Sequence, residues 1–288
     1  MFDNVYEFNL DYLELYKEKS YALDYGCNLR KEPIYQEFNK DNFREFRGVN
    51  KNYLIKEFSQ QRVLTKFSDI TLFENENFEV LGYLDSFYDA PLIFCSFLPE
   101  IYRQGVDIAF HSILKLFERN RNIQIIINIP NGLSNNYIKS WIDFIARHSD
   151  FNGRWVFINT YINYDKFFAG SDIILLPKRE NIINPMHLLA MNYGCIPVAS
   201  KNGIYNDTVA DIFSDMTNGC GFKTKTSLSS EQEAIDEYLT ILTKALNLYT
   251  QNPASWNLLI KNCMDYNSEW KFQAIEMYNF VYEKLMTE

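Results

Sequence analysis

A polar turn concentrates the side chains of this sequence that could do chemistry. It holds Lys178, Arg179, Glu180, Asn181 and Asn184 within one short segment. The two cations could form charge-assisted hydrogen bonds with a phosphate group, and Glu180 adds a carboxylate beside them. Surface turns with solvated charges have the same composition, so a ligand site and a plain surface turn both stay open at this point.

The elements on either side of the turn would give it the geometry of an anion site. The apolar run DIILLP precedes it, and a helical stretch begins at Pro185. Asn184 is a good N-cap and Pro185 a favoured first helical residue. The backbone N–H groups of Met186 and His187 would then face the carboxyl end of a strand, where open α/β sheets bind ligands. His187 has a second interpretation, as a packed and hydrogen-bonded core residue.

From about residue 90 onward, short apolar strands alternate with amphipathic helices, which indicates a parallel α/β layer fold. The predicted strands are Pro91–Leu98, Ile123–Ile129, Arg154–Thr160, Asp172–Pro177 and 195–200. The predicted helices are 106–120, 134–148 with Ser134 as N-cap, a short one near 164–170, 185–194, 231–249, 253–264 and 270–286. We therefore expect a Rossmann-like three-layer domain, with a sheet of about six parallel strands and helices on both faces.

Composition narrows the class of protein. The 288 residues are 47% hydrophobic and 16% aromatic, which excludes a disordered chain. A net charge of -9 argues against nucleic-acid binding. No apolar run is long enough for a membrane span, and the N-terminus has no signal-peptide pattern. The five cysteines show no metal-site spacing and fit a reducing compartment, so we expect a cytoplasmic protein without a metal.

The segment 164–209 resembles the C-terminal half of bacterial glycogen synthases and plant starch synthases, whose pattern reads AGADxxLxPSRFEPCGLxQLxAMxYG and continues to LxDTV. The matched residues are Ala169, Gly170, Asp172, Pro177, Arg179, Ala190, Met191, Tyr193, Gly194, Pro197, Gly203, Asp207, Thr208 and Val209. Three further segments, 39–58, 89–113 and 218–222, and the ending from Trp270 also resemble this family, in the right order. The resemblance implies the C-terminal domain of a GT-B glycosyltransferase, preceded by a helical or irregular stub. We predict the stub at 1–85 and the domain at 86–288, ending in helices.

The resemblance also implies where a nucleotide-sugar such as ADP-glucose or UDP-glucose would bind, with no other cofactor. Arg179 matches the arginine beside the catalytic acid, and Glu180 is the best surviving carboxylate; these are the candidate catalytic residues. The candidate ligand-binding residues are Arg103, Lys178, Asn181, Asn184, Met186, His187, Tyr161 and Gly203. Among them, Tyr161 lies where the family places residues near the base, and Lys178 is new relative to the pattern.

Several positions depart from the family. Its SRLxxQKG loop supplies an arginine and a lysine to the donor diphosphate, but Phe97 and Gln104 stand there, and Arg103 is the nearest substitute. Asn181 occupies the position of the acid. Loss of one group that stabilises a transition state costs about 10²–10³ in rate. The sequence therefore predicts a domain that is inactive alone.

Three hypotheses follow. The chain could be a glycosyltransferase subunit that contributes a nucleotide-sugar half-site and needs a separate N-terminal domain or a second copy as partner, with glucan as a possible further partner. It could instead be a non-catalytic pseudo-glycosyltransferase, a binding or scaffold protein of glucan metabolism. It could also be a fragment of a longer enzyme.

Overall fold

The computed structural model describes residues 34–59, 79–87, 89–98, 101–119, 122–179, 185–225 and 230–266, together with 278–280, 282–283 and 286. Residues 34–266 of this set belong to one compact unit, and the helical residues from 278 onward belong to a second. The description below concerns the first unit.

A seven-stranded sheet forms the centre of this unit. Its strands are β1 (Val80–Leu84), β2 (Leu92–Ser96), β3 (Gln124–Asn128), β4 (Arg154–Ile158), β5 (Ile173–Leu176), β6 (Ile196–Ala199) and β7 (Phe222–Lys223). Their order in the sheet is β1-β4-β3-β2-β5-β6-β7. All neighbouring strands are parallel except β1, which runs antiparallel to β4 at one edge.

The central strands are apolar on both faces because helices cover the sheet from both sides. Along β2, Ile93 and Cys95 point into one hydrophobic core, whereas Leu92 and Phe94 point into the other. Such alternation is the expected consequence of a two-residue side-chain period. It matters for the site, because neighbouring residues at a strand end also face opposite sides of the sheet.

The helices divide between these two faces. They are α1 (Phe43–Glu57), α2 (Ile101–Gln104), α3 (Val106–Arg119), α4 (Asn136–Arg147), α5 (Tyr164–Gly170), α6 (Met186–Asn192), α7 (Gly203–Thr208), α8 (Glu231–Gln251) and α9 (Pro253–Asp265). Helices α3, α4 and α8 contribute Ile113, Ile142 and Leu242 to the first core. Helices α1 and α5 contribute Leu54 and Phe167 to the second, to which α6 and α7 also belong.

The predicted three-layer α/β fold is confirmed, with differences in detail. The sheet has seven strands where about six were expected, because β1 and β7 join the five strands that were predicted individually. Helix α4 is capped by Asn135, whose side chain accepts from the backbone N–H groups of Tyr137 and Ile138; the prediction of Ser134 as N-cap is wrong. Most of the predicted helix 270–286 lies outside the described residues.

Helix α1 precedes the sheet in sequence but is tied to it by a buried ion pair. Lys51 Nζ donates to Asp172 Oδ2 at 2.6 Å and to the Ala90 carbonyl at 2.6 Å. The other Asp172 contacts include the Leu92 backbone N–H, which donates to Oδ2 at 2.8 Å. Burial alone would lower the pKa of the Lys51 ammonium, but Asp172 and Tyr249 outweigh it and leave that pKa raised.

Arg47, one helical turn before Lys51, holds the same junction through main-chain atoms. Its guanidinium donates to the carbonyls of Ser171 and Tyr193. These contacts join α1 to the sheet, and both belong to the same compact unit. The exact domain boundary after residue 85 stays a prediction. Among the described helices, none combines the length and apolar character that a bilayer crossing requires.

Replacement of Lys51 by methionine tests this junction. We expect Lys51→Met to lower the free energy of unfolding by about 3 kcal/mol, because Asp172 would remain buried without its counter-ion. Urea unfolding measures the change. Lys40→Met is the matched control, since Lys40 pairs with Asp265 at 2.9 Å on an exposed surface where such pairs add little. Equal stability of the two variants would contradict a dependence of the fold on the buried pair.

Candidate functional site

A cleft of about 450 Å³ opens at the carboxyl ends of β5, β6 and β7, beside α2 and the first turn of α8. Its lining comes from the ends of these strands, from α2 and from the first turn of α8. The residues that line it are Tyr102, Ile108, Pro177, Lys178, Arg179, Ser200, Lys201, Asn202, Thr224, Lys225, Ser230, Glu231, Ala234 and Tyr238. The polar turn after β5 therefore begins at the edge of a cleft, as expected because open α/β sheets bind ligands at the carboxyl ends of their strands.

The main chain at the end of β5 is fixed by side chains from the neighbouring elements. Ser200 Oγ and Asn202 Nδ2 donate to the Lys178 carbonyl at 2.8 and 2.9 Å. From α8, the Tyr238 hydroxyl donates to the Leu176 carbonyl at 3.2 Å. The start of the polar turn thus has a defined position, set by residues that follow β6 and by α8.

Arg179 faces α3 and makes a bidentate ion pair. Its Nη1 and Nη2 donate to Asp107 Oδ1 and Oδ2 at 2.6 and 2.7 Å, and its guanidinium lies 4.4 Å from the centre of the Tyr102 ring. Partial burial opposes the charge, but the hydrogen bonds to Asp107 leave the pKa of Arg179 raised. In this arrangement Arg179 joins the turn to α3, and its charge is already neutralised; its predicted catalytic role stays a prediction.

Lys178 projects to the opposite face of the sheet from Arg179, as the alternation along β5 requires. Its side chain is buried, with the residue 3% exposed, and its Nζ has no hydrogen-bond partner among the described residues. The ammonium lies 5.7 Å from the centre of the Tyr205 ring on α7. Burial lowers the pKa of Lys178 to about 8, so this group is the one cation of the described turn without a counter-ion.

His187 is fully buried between α6 and α7. Its Nε2 lies 2.7 Å from Thr208 Oγ1, which itself donates to the Ile204 carbonyl at 2.6 Å, so Nε2 is the donor of this pair. Its ring meets the Tyr205 ring edge to face at 4.8 Å between centres. This is the geometry of the packed, hydrogen-bonded histidine, and a ligand would have to displace the core to reach it. Met186 is half-buried against the same core.

The other predicted ligand residues lie at different distances from the cleft. Arg103 is exposed on α2, and its carbonyl accepts from the Arg179 N–H at 3.2 Å. Gly203 starts α7 directly after the cleft residue Asn202, with φ of 44°. Tyr161 is 77% exposed after β4, and β3 and β2 separate β4 from β5 in the sheet. The structure therefore brings Arg103 and Gly203 to the turn and leaves Tyr161 away from it.

Three predicted residues, Glu180, Asn181 and Asn184, lie outside the described residues. The helix after them is shorter than predicted, and Pro185 occupies its N-cap position without a side-chain cap, so the prediction of Pro185 as its first residue is wrong by one position. With α6 only seven residues long, its start offers little dipole to an anion.

Phe97 and Gln104, which replace two cations of the family pattern, are both buried. Phe97 is 3% exposed and packs in the first core, and Gln104 is 2% exposed at the end of α2. Neither side chain carries charge toward a ligand. The two departures that the sequence showed thus became part of the interior rather than of a binding surface.

The cleft is cationic on a protein of net charge -9. Its lining includes Lys178, Arg179, Lys201 and Lys225 against the single carboxylate of Glu231. Asp107 neutralises Arg179, and Lys225 Nζ lies 3.7 Å from a Glu237 carboxylate oxygen, so Lys178 and Lys201 are the lining cations that would attract an anion. No group of His, Cys, Asp and Glu side chains suited to a metal occurs among the described residues.

Sequence reasoning missed the cleft residues that follow β6 and β7. Ser200, Lys201 and Asn202 form the loop that fixes the turn. Thr224 supports this loop, because its Oγ1 accepts a hydrogen bond from the Lys201 backbone N–H at 3.0 Å. The available signal was the polar run after the strand at 195–200, which the same strand-end rule marks as a ligand position.

The α2 loop is held against the turn through Gly105, which gives a direct test. Gly105 has φ of 68°, and a Cβ atom there would overlap the Pro177 carbonyl. We expect Gly105→Ala to lower the free energy of unfolding by at least about 2 kcal/mol in urea titrations. Gly48→Ala is the control, since Gly48 lies inside α1 with open space around it, and alanine there should add up to about 1 kcal/mol. A Gly105→Ala protein as stable as wild type would show that the loop moves freely away from Pro177.

No protein-family model matches the chain. The soluble starch synthase 1 of Solanum tuberosum is 29% identical over 205 residues, which are 69% of this chain and 29% of that protein. A glycogen synthase of Clostridium botulinum is 25% identical over 278 residues, which are 93% of this chain and 50% of the relative. The chain thus spans half or less of the length of these relatives.

Among solved structures, the catalytic domain of starch synthase IV from Arabidopsis thaliana, bound to ADP and acarbose, superposes with a TM-score of 0.70 and 20% identity. The match covers 96% of this chain and 51% of that one. The mixed α/β fold with its seven-stranded sheet is therefore similar to that of GT-B glycosyltransferases. The chain is a homologue of the glycogen and starch synthases, and the part of them that it covers is consistent with their C-terminal domain.

Proposed function

We propose that the chain is a glycogen or starch synthase-like glycosyltransferase domain that binds a nucleotide-sugar, ADP-glucose or UDP-glucose, as a half-site. The observation that carries this proposal is the cleft at the carboxyl ends of β5 to β7, with Lys178 and Lys201 in its lining. The cleft lies at the turn within the segment 164–209, which carries the resemblance to the synthases. Homology to the synthases supports the ligand class, as does the ADP bound by the starch synthase of similar fold.

We also propose that the domain does not transfer glucose by itself. Departure of a nucleoside diphosphate requires fixed positive charge around it, and each missing group costs about 10²–10³ in rate. Phe97 and Gln104 are neutral and buried, and Asp107 neutralises Arg179. The half-site would need a separate N-terminal glycosyltransferase domain or a second copy of the chain to complete it.

A non-catalytic role is the second candidate. The burial of Phe97 in the core is the observation that favours it, because this position belongs to packing and is closed to ligands. Such a protein would keep the fold as a scaffold in glucan metabolism. For either role we propose a cytoplasmic location, supported by the four described cysteines, which are buried and unpaired.

Calorimetric titration of the purified chain with ADP, UDP, ADP-glucose and UDP-glucose tests the proposal. We expect at least one of these ligands to bind, with adenosine and uridine far weaker, because the cleft recognises the phosphate charge. Glucose transfer from the bound donor to glycogen, followed with a labelled sugar, should stay at the background rate. Absence of binding at millimolar ligand would overturn the half-site and leave the scaffold role, whereas rapid transfer would overturn the claim of inactivity.

A further inference from the structure

The side-chain amine of Lys178 is buried near the turn. Lys178 Nζ is enclosed and makes no hydrogen bond within the part of the chain that the structure describes. Buried polar groups in proteins are nearly always hydrogen-bonded, and one left without a partner destabilises the fold, more so when it is charged. The adjacent Tyr205 ring offers only a weak contact to the cation at 5.7 Å. Packing alone does not account for a lysine at this place.

Tyr205 on α7 carries a second buried polar group of this kind. Its hydroxyl is also buried without a hydrogen-bond partner among the described residues, and the residue is 2% exposed. Burial raises the pKa of this phenol, so it remains a neutral donor at all ordinary pH values. The Lys178 ammonium and the ring of Tyr205 thus lie 5.7 Å apart where the end of β5 meets α7, and each residue has a buried donor that an anion oxygen would satisfy.

The other cations of the region are less able to serve an anion. Asp107 holds both nitrogens of the Arg179 fork, and Lys225 lies 3.7 Å from Glu237. Lys201 is exposed, so solvent screens its charge. A cation acts most strongly on a ligand where water is excluded and no counter-ion competes. Among these residues, only Lys178 meets both conditions.

We propose that the Lys178 ammonium, together with the Tyr205 hydroxyl of α7, binds a phosphate group of the ligand and supplies the positive charge that Phe97 and Gln104 do not. This inference rests on the proposed function for the identity of the ligand, a nucleoside diphosphate or its sugar conjugate. The site would bind an anion through an amine that follows β5. In the family pattern, the corresponding positive charges come from the loop after β2. Lys178 is a binding residue in this scheme, and no covalent step is involved.

Proton linkage gives the site a recognisable signature. The free amine has a pKa of about 8, and a bound anion raises the pKa, so binding near pH 8 takes up a proton. Affinity should fall as pH rises through 8, by about tenfold between pH 7 and pH 9. The titratable or charged groups that face this region from the surrounding elements are Tyr205, His187, Tyr238, Glu231, Lys201 and Arg179. Because the ligand and these groups titrate too, a variant without the amine supplies the baseline.

The experiment compares wild type with Lys178→Met by calorimetry, with inorganic pyrophosphate and ADP as probes at pH 7 and pH 9. We expect Lys178→Met to bind both probes about tenfold to a hundredfold more weakly at pH 7 and to lose the additional pH dependence. Lys261→Met is the matched control, since it removes the same charge from an exposed position of α9. It should bind both probes like wild type.

Thermal unfolding without ligand separates binding from a structural role. Because methionine fills a similar volume without a buried charge, Lys178→Met should have a melting temperature equal to or above that of wild type. A lower melting temperature with unchanged affinity would overturn the inference and assign Lys178 to the fold. If ADP binds wild type and Lys178→Met equally, the inference fails and the proposed half-site stands.

The two proposals can also be separated if pyrophosphate binds and nucleotides do not. Pyrophosphate binding that depends on Lys178, without binding of ADP or UDP, would support the anion site and overturn the nucleotide half-site. If neither pyrophosphate nor any of ADP, UDP, ADP-glucose and UDP-glucose binds wild type, both proposals fail.

Discussion

The buried contact between Lys51 and Asp172 fixes the part of the fold on which the candidate site depends. Asp172 precedes β5, receives the Lys51 ammonium at 2.6 Å, and accepts the Leu92 N–H at the start of β2. One carboxylate therefore aligns α1, β2 and β5 at the amino edge of the sheet. Since β5 is only four residues long, its opposite end inherits that alignment directly, and the polar turn begins there. Ser200 and Asn202 then hold the turn from the side of β6.

The two neighbouring cations that follow β5, Lys178 and Arg179, point in opposite directions and have different roles. Arg179 turns toward α3 and forms its ion pair with Asp107, which joins the turn to the helix layer. Lys178 turns toward α7, where it meets a tyrosine ring and, within the described parts of the chain, no hydrogen-bond partner. One cation is thus committed to structure and the other is left available. A shift of one residue at the end of β5 would exchange these environments, which is why the precise register of this strand matters for any ligand role.

The sequence predicted the central elements well because their signals are local. Apolar runs such as Ile123–Ile129 and the periodic helix at 231–249 differ from the structure by only a few terminal residues. The strands β1 and β7 escaped prediction because β1 has a glycine at its centre and β7 is only two residues long, so neither shows the unbroken apolar run of the other strands. The site was predictable only in outline. The partners of Arg179 and His187 lie 72 and 21 residues away, and such contacts depend on how the layers pack.

The buried state of Phe97 and Gln104 gives the departures from the family pattern a physical meaning. A charged side chain at either place would have to leave the interior or take a counter-ion with it. Their replacement by an aromatic ring and an amide therefore favours packing of the loop after β2, while removing charge from it. Under our proposal, the positive charge for an anionic ligand lies instead at the end of β5. A cation so placed can hold a bound phosphate, but rate enhancement requires charge aimed at the bond that breaks. Binding and turnover would thus be separable in this domain, since each depends on a different strand end.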